Sequence, residues 1–88
     1  MSQNYPNPFN PKTIINYNIP SGVDHQSSNV KLIIYNALGK ELALLVNEDQ
    51  TAGSYSVEFD GSNLSSGIYF YKLTTESFSE IKKMTLLK

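Results

Sequence analysis

Apolar and polar residues alternate along most of this chain with a period of two, the spacing that puts every second side chain on one face of a β-strand. The alternation predicts a first strand over residues 13–19, with Thr13, Ile15, Tyr17 and Ile19 on the core face and Ile14, Asn16 and Asn18 on the other. Pro20, Ser21 and Gly22 end it, and a polar stretch follows over 23–29. A second strand is predicted over 30–35, setting Val30, Leu32 and Ile34 against Lys31, Ile33 and Tyr35. Asn36-Ala37-Leu38-Gly39 predicts a hairpin turn, with Gly39 in the left-handed position after a type I turn. Residues 40–46 then return antiparallel, and 47–53 read as a polar loop. Residues 54–59 turn Tyr55, Val57 and Phe59 inward, and 60–67 form a turn-rich connection. The strand predicted over 67–75 is apolar on both faces, with Tyr69, Tyr71 and Leu73 on one and Ile68 and Phe70 on the other. Such a strand is central in its sheet, or one of its faces meets a partner. Glu76 and Ser77 turn the chain into a last strand over 78–87, with Met84 and Leu86 on one face and Ile81, Lys83 and Leu87 on the other. No stretch of helix length carries apolar residues at i, i+3, i+4 and i+7.

Ahead of the first strand, residues 4–11 read Asn-Tyr-Pro-Asn-Pro-Phe-Asn-Pro. Pro6, Pro8 and Pro11 forbid a helix or a central strand there. They predict an extended, polyproline-like arm pinned to the core by Tyr5 and Phe9. As a ligand such an arm would serve a proline-binding module; as structure it covers an edge on the way into the first strand, and the strong aromatic anchors favour the second. Strand signals every 8–12 residues or so predict an all-β fold, an antiparallel β-sandwich of about six to seven strands. Leu64 ahead of Gly67-Ile68-Tyr69 suggests the tyrosine corner of such sandwiches, which gives Tyr69 a structural role.

Composition narrows the function. The 88 residues make one domain, an arm over 1–12 and a sandwich over 13–88. Cysteine is absent, so there are neither disulfides nor thiolate metal sites. Seven lysines, no arginine and eight acids leave a net charge of −1, which argues against nucleic-acid binding. No apolar run reaches the roughly 20 residues of a transmembrane helix, and no basic, then apolar leader opens the chain. Met1 is followed at once by polar and proline-rich sequence, as expected of a domain cut from a longer chain.

Chemistry is poorly supplied. His25 lies in a polar stretch beside Asp24, with no orienting partner and no nucleophile. Glu48 and Asp49 fall short of the about six oxygens of a calcium site. Asn63-Leu64-Ser65 matches a glycosylation acceptor, a cheap match in a chain with nine Asn and eleven Ser. Tyr35 and Phe70 face outward by parity and form the one candidate sugar platform, without tryptophan. No cofactor is predicted. Charge, however, is uneven. Residues 1–71 carry three Lys and six acids, a net of −3; residues 72–88 carry four Lys and two acids, a net of +2. Lys82, Lys83 and Lys88 around Met84, Leu86 and Leu87 either deter edge pairing or make a basic, apolar docking strand.

Four blocks in order then bear on that choice. They are Asn4 to Pro11 with Thr13, Val30 to Glu41, Ala52-Gly53 with Tyr55, and Leu64 to Leu73 followed by Lys82 to Lys88. Together they resemble the type A C-terminal sorting domain of the type IX secretion system, found on secreted proteins of Bacteroidota and related bacteria. The resemblance implies an immunoglobulin-like sandwich at the C-terminus of a larger exported protein, with a cargo domain before it. It implies recognition by an outer-membrane type IX translocon and removal by a sortase-like protease that attaches the cargo to surface lipopolysaccharide. It implies a destination at the cell surface or outside the cell, reached through the periplasm. Lys82, Lys83, Met84, Leu86 and Lys88 are then the expected recognition positions, and Pro6, Pro8, Phe9, Pro11, Gly39, Gly53, Gly67 and Tyr69 the structural ones. The segment 23–29 departs from the pattern in being longer and more polar. The same sandwich is similar to the immunoglobulin-like domain of the flagellar hook-capping protein, so fold alone does not decide function. The expected function is a sorting and secretion signal, a recognition module and not an enzyme. The alternative is an accessory immunoglobulin-like module, a spacer or glycan binder, for which the terminal lysines are dispensable. A third reading, a small enzyme, would need activity from His25 or the acids.

Overall fold

The structure, a computed structural model, describes residues 1–20, 28–76 and 78–88. It holds six strands and, among the described residues, no helix: β1 Lys12–Ile19, β2 Ser28–Asn36, β3 Glu41–Gln50, β4 Gly53–Asp60, β5 Gly67–Thr74 and β6 Ser79–Leu86. β1 pairs with β4, and the other four run in the order β3-β2-β5-β6, every pairing antiparallel. The chain is therefore the all-β sandwich its alternation predicts. β5 lies between β2 and β6, as its two apolar faces require.

One core joins both sheets. Ile15, Tyr17 and Ile19 of β1 and Phe59 of β4 meet Val30, Leu32 and Ile34 of β2, Tyr69, Tyr71 and Leu73 of β5, and Met84 and Leu86 of β6. Period two does this work: in β1 the residues 13, 15, 17 and 19 are buried and their neighbours are not. Each fully buried aliphatic or aromatic side chain contributes about 1.5–3 kcal/mol. Tyr17 stacks on Tyr55 at 5.4 Å, with its hydroxyl donating to Gln50 Oε1 at 2.8 Å. Burial raises the Tyr17 hydroxyl above its ordinary range, and the Gln50 bond partly offsets this.

The β2–β3 hairpin turns where the sequence predicts. Gly39 has φ +88°, and its N–H donates to the Asn36 carbonyl at 3.0 Å. The Asn36 side-chain carbonyl accepts from the backbone N–H of Leu38 and of Lys40, each at 2.9 Å. β3 differs from expectation at its far end. The polar loop predicted over 47–53 is strand as far as Gln50, because β2 begins at Ser28 and pairs Asn29 with Asp49 and Val30 with Glu48. A backbone ladder needs no apolar side chains, so hydropathy does not show it. The pairing also slips twice, between Leu32 and Ile33 and between Ile34 and Tyr35, which leaves Leu45 and Leu42 of β3 unpaired in the register.

The arm departs further from the sequence reading. It bends instead of running as a polyproline helix. Phe9 is an anchor, 1 % exposed and edge-on to Phe59 at 6.0 Å. Tyr5 is not: its side chain is 77 % exposed, and only its backbone bridges to Ile14. The second anchor is Asn4, a polar residue that hydropathy passes over.

Candidate recognition surface at the β6 edge

β6 is an edge strand, and its pairing with β5 sets where each terminal side chain goes. Tyr69 opposes Met84, Phe70 opposes Lys83, Tyr71 opposes Lys82 and Gly67 opposes Leu86. Lys82, Met84 and Leu86 fall on the inner face; Ile81, Lys83 and Thr85 fall on the outer. Met84 and Leu86 are wholly buried, Lys82 is half-buried, and Lys83, Leu87 and Lys88 are exposed. The five positions expected to act in recognition thus divide into two core residues and three cations on different sides. Lys88 is tied down: its Nζ donates to the Ser62 carbonyl at 2.6 Å and its N–H to Ser66 Oγ at 3.0 Å. Ser62 in turn donates its hydroxyl and N–H to Asp60 Oδ1. Those bonds, the hydroxyl's first, hold the Asp60 carboxyl below its ordinary range, with Lys12 and Lys88 adding smaller pulls.

The free edge of β6 is occupied by the arm. Phe9 N–H donates to the Thr85 carbonyl at 2.9 Å, and Leu87 N–H donates to the Phe9 carbonyl at 3.0 Å. Asn7 Oδ1 accepts from Thr85 N–H at 3.0 Å, and Gln3 Nε2 donates to the Lys83 carbonyl at 2.7 Å. The arm is also held from inside. Tyr71 OH donates to the Ser2 carbonyl at 2.9 Å and accepts from Asn4 N–H at 2.8 Å. Asn4 Nδ2 donates to Thr13 Oγ1 at 3.0 Å, and Thr13 Oγ1 donates to the Pro6 carbonyl at 2.9 Å. Burial raises the Tyr71 hydroxyl above its ordinary range, and the Asn4 amide pulls the other way.

Gly61 makes room for this closure. A Cβ there would lie 3.2 Å from both Leu86 Cδ2 and Phe9 Cε2, and 3.3 Å from the Pro11 carbonyl. The Gly61 N–H donates to that same carbonyl at 2.8 Å. Sequence reasoning placed Thr13 on the core face and Asn4 in the arm without their bonds to each other and to Tyr71, and it did not single out Gly61, whose neighbours Phe9 and Leu86 are distant in the chain. The residues singled out as structural otherwise lie as follows. Pro8 is exposed, Gly53 and Gly67 open β4 and β5, and Tyr69 donates its hydroxyl to the Ser65 carbonyl at 2.6 Å.

The remaining chemical candidates do not converge. Glu48 and Asp49 point to opposite faces of β3, and no group of three or more metal-ligating side chains gathers among the described residues. His25 and Asp24 lie outside the described residues. Asn63 is exposed in the turn after β4. Tyr35 and Phe70 sit side by side on the outer face of the larger sheet.

Residues 3–86 match the family described as secretion system C-terminal sorting domain. The chain belongs to that family. Neither a curated protein nor a solved structure matches it. The sorting domain is accordingly a signal for type IX secretion, and it directs export across the outer membrane to the cell surface or beyond. The arm lies at the start of the matched region and β6 at its end.

Proposed function

We propose that the sorting domain stands at the C-terminal end of a larger exported protein and is read, folded, through the β6 and terminal side chains that reach solvent, Lys82 at the margin of the inner face among them. The partners are the outer-membrane type IX translocon and, after export, a sortase-like protease; the role is recognition and not catalysis. Lys82, Lys83 and Lys88 meet acidic groups of the translocon. Met84 and Leu86 act indirectly, by seating β6 in the core so that the cations are displayed. The observation that carries this reading is the division within β6 itself, which buries Met84 and Leu86 completely while Lys83, Leu87 and Lys88 stay exposed. Docking by side chains fits the edge better than strand addition, since the backbone groups of Lys83, Thr85 and Leu87 already bond to the arm.

A secretion assay tests it. A signal peptide and a fluorescent reporter are fused ahead of residues 1–88 in a host with a working type IX system. Three chains are compared: the full chain, one lacking residues 82–88, and one with Lys82, Lys83 and Lys88 changed to Ala. The full fusion should reach the surface or medium, and both variants should stay in the periplasm. The Ala variant should also remain folded, because Lys82 is only half-buried and Lys83 and Lys88 are exposed, while Met84 and Leu86 stay in the core. If it is exported like the full chain, the lysines are dispensable and the domain is an accessory module. Exposed charge pairs are screened by salt, so binding to solubilised translocon should weaken as ionic strength rises.

A further inference from the structure

The outer face of the four-stranded sheet is not the polar surface that an antiparallel sheet with one solvated side normally shows. Across β2, β5 and β6 the register makes two rows, Tyr35–Phe70–Lys83 and Ile33–Lys72–Ile81. Ile81 is 58 % exposed, Phe70, Tyr35 and Lys72 are half-buried, and no strand among the described residues covers this face. Tyr35, Phe70, Lys72 and Ile81, with Ala37 and Gly39, line a depression of about 290 Å³. Its charge is of one sign. Among the described residues neither the Lys72 nor the Lys83 ammonium has an ion-pair or hydrogen-bond partner. The acids that share this face are on the edge strand β3: Glu41 directly opposite Tyr35, beside the depression but not in its lining, and Asp49 at the far end, opposite Asn29.

We infer that this face is a docking surface for an extended, acidic and apolar polypeptide segment of a partner. The inference rests on the reading above that the domain works by being recognised, and it names what the recognising segment carries. Phe70 pairs with Lys83 and Lys72 with Ile81, so the two cations are diagonal neighbours across β5 and β6. Diagonal neighbours on a sheet are about 7–8 Å apart. Alternate residues of an extended chain are about 6.8 Å apart. Acids at i and i+2 of one segment therefore reach both lysines, and apolar residues flanking them on the same side meet Phe70, Tyr35 and Ile81. The lysine stems can lie along the aromatic rings while their charges face the segment.

Two other occupants fit less well. A membrane surface is held by clusters of about 4–8 cations, more than this face supplies. On this face β2, β5 and β6 carry Lys31, Lys72 and Lys83 and no acid, so the centre of a second copy of the chain would bring no negative charge to them.

The probe is a short synthetic peptide of strand-forming residues, with Asp at two alternate positions flanked on the same side by Leu and Phe. It is titrated into the isotope-labelled 88-residue chain while backbone amide shifts are followed. Shifts should cluster at Tyr35, Phe70, Lys72, Ile81 and Lys83. The Lys72→Glu and Lys83→Glu double variant should bind about tenfold more weakly, and Ile81→Ser several-fold more weakly. Both should keep the wild-type amide spectrum elsewhere, since these side chains point away from the core. A peptide with Lys in place of Asp should not bind. Shifts confined to the β3 edge, an unchanged affinity in the double variant, or shifts that follow chain concentration without peptide (a second copy) would each overturn the inference. In the secretion assay, Phe70→Ser and Ile81→Ser should reduce export. Normal export by them, alongside failure of the Lys82, Lys83 and Lys88 variant, would sink this inference and leave the proposed function standing. Normal export by the lysine variant, with peptide binding intact, would sink the proposed function and not the surface.

Discussion

At the β6 edge of the larger sheet the free backbone groups meet the chain's own arm; at the β3 edge the register itself is interrupted. The first edge is sealed by a buried aromatic, four bonds to arm residues and a tyrosine that grips the arm from the core. The second has no cover among the described strands and is spoiled as a template by two slips of register. Both devices deter pairing with a stranger, and they differ in what they couple. A bulge acts where it stands. The arm joins the integrity of β6 to that of the chain's first residues.

The comparison breaks first at Phe9. Phe9→Ala should cost about 3–5 kcal/mol, the usual range for emptying a core site of an aromatic. Denaturant unfolding measures it, and amide exchange at Thr85 and Leu87 should quicken while β3 amides keep their rates. If exchange at β3 accelerates equally, the arm is not specific to its edge. Tyr71→Phe comes next. It removes the donor to the Ser2 carbonyl and the acceptor of the buried Asn4 N–H, and should cost about 1–3 kcal/mol, read as a lower midpoint with the core otherwise intact. Gly61→Ala belongs in the same range, about 1–3 kcal/mol for overpacking, because Phe9 and Leu86 must both shift.

A pH titration sharpens the same point more gently. Burial raises the Tyr71 and Tyr17 hydroxyls above their ordinary values. A raised pKa means the neutral form is favoured in the fold. Its stabilising effect is full below the unfolded value of about 10 and fades as pH climbs through the higher folded value. Tyrosinate absorbance should therefore show late-titrating groups in the native chain, and Tyr71→Phe should remove part of that late fraction. At the other edge the smallest effect is expected: Leu42→Ser on exposed, bulged β3 should stay within about 0.5 kcal/mol. A larger loss would mean that β3 is protected by packing after all.

Much of the fold was legible because alternation writes burial directly into strands that are apolar on one side. β1 and β6 show this, and Gly39 after Asn36 marked the hairpin. The end of β3 was not legible, since Asn47 to Gln50 are held by backbone pairing to β2. The arm was half legible. Phe9 announced itself by size, whereas Asn4 acts through Thr13 and Tyr71, and Tyr5 resembled an anchor only by chemistry. Of the positions proposed for recognition, Met84 and Leu86 carry their own explanation: the period that placed them together also turned them inward. The outer-face grouping of Lys72, Lys83, Phe70 and Ile81 needed the β2–β5–β6 register, which no single strand contains.

The bonds between Gln3 and Lys83 and between Asn7 and Thr85 span 80 and 78 positions of the chain. A domain made or threaded from its N-terminal side presents the arm before the strand that seats it. Contacts so distant in sequence form slowly and late, so the arm has nowhere to dock until the final strand has emerged. Loss of a few C-terminal residues would set the opposite end loose. The sandwich is thus closed by contact between its arm and β6, and a sealed edge records that both are in place.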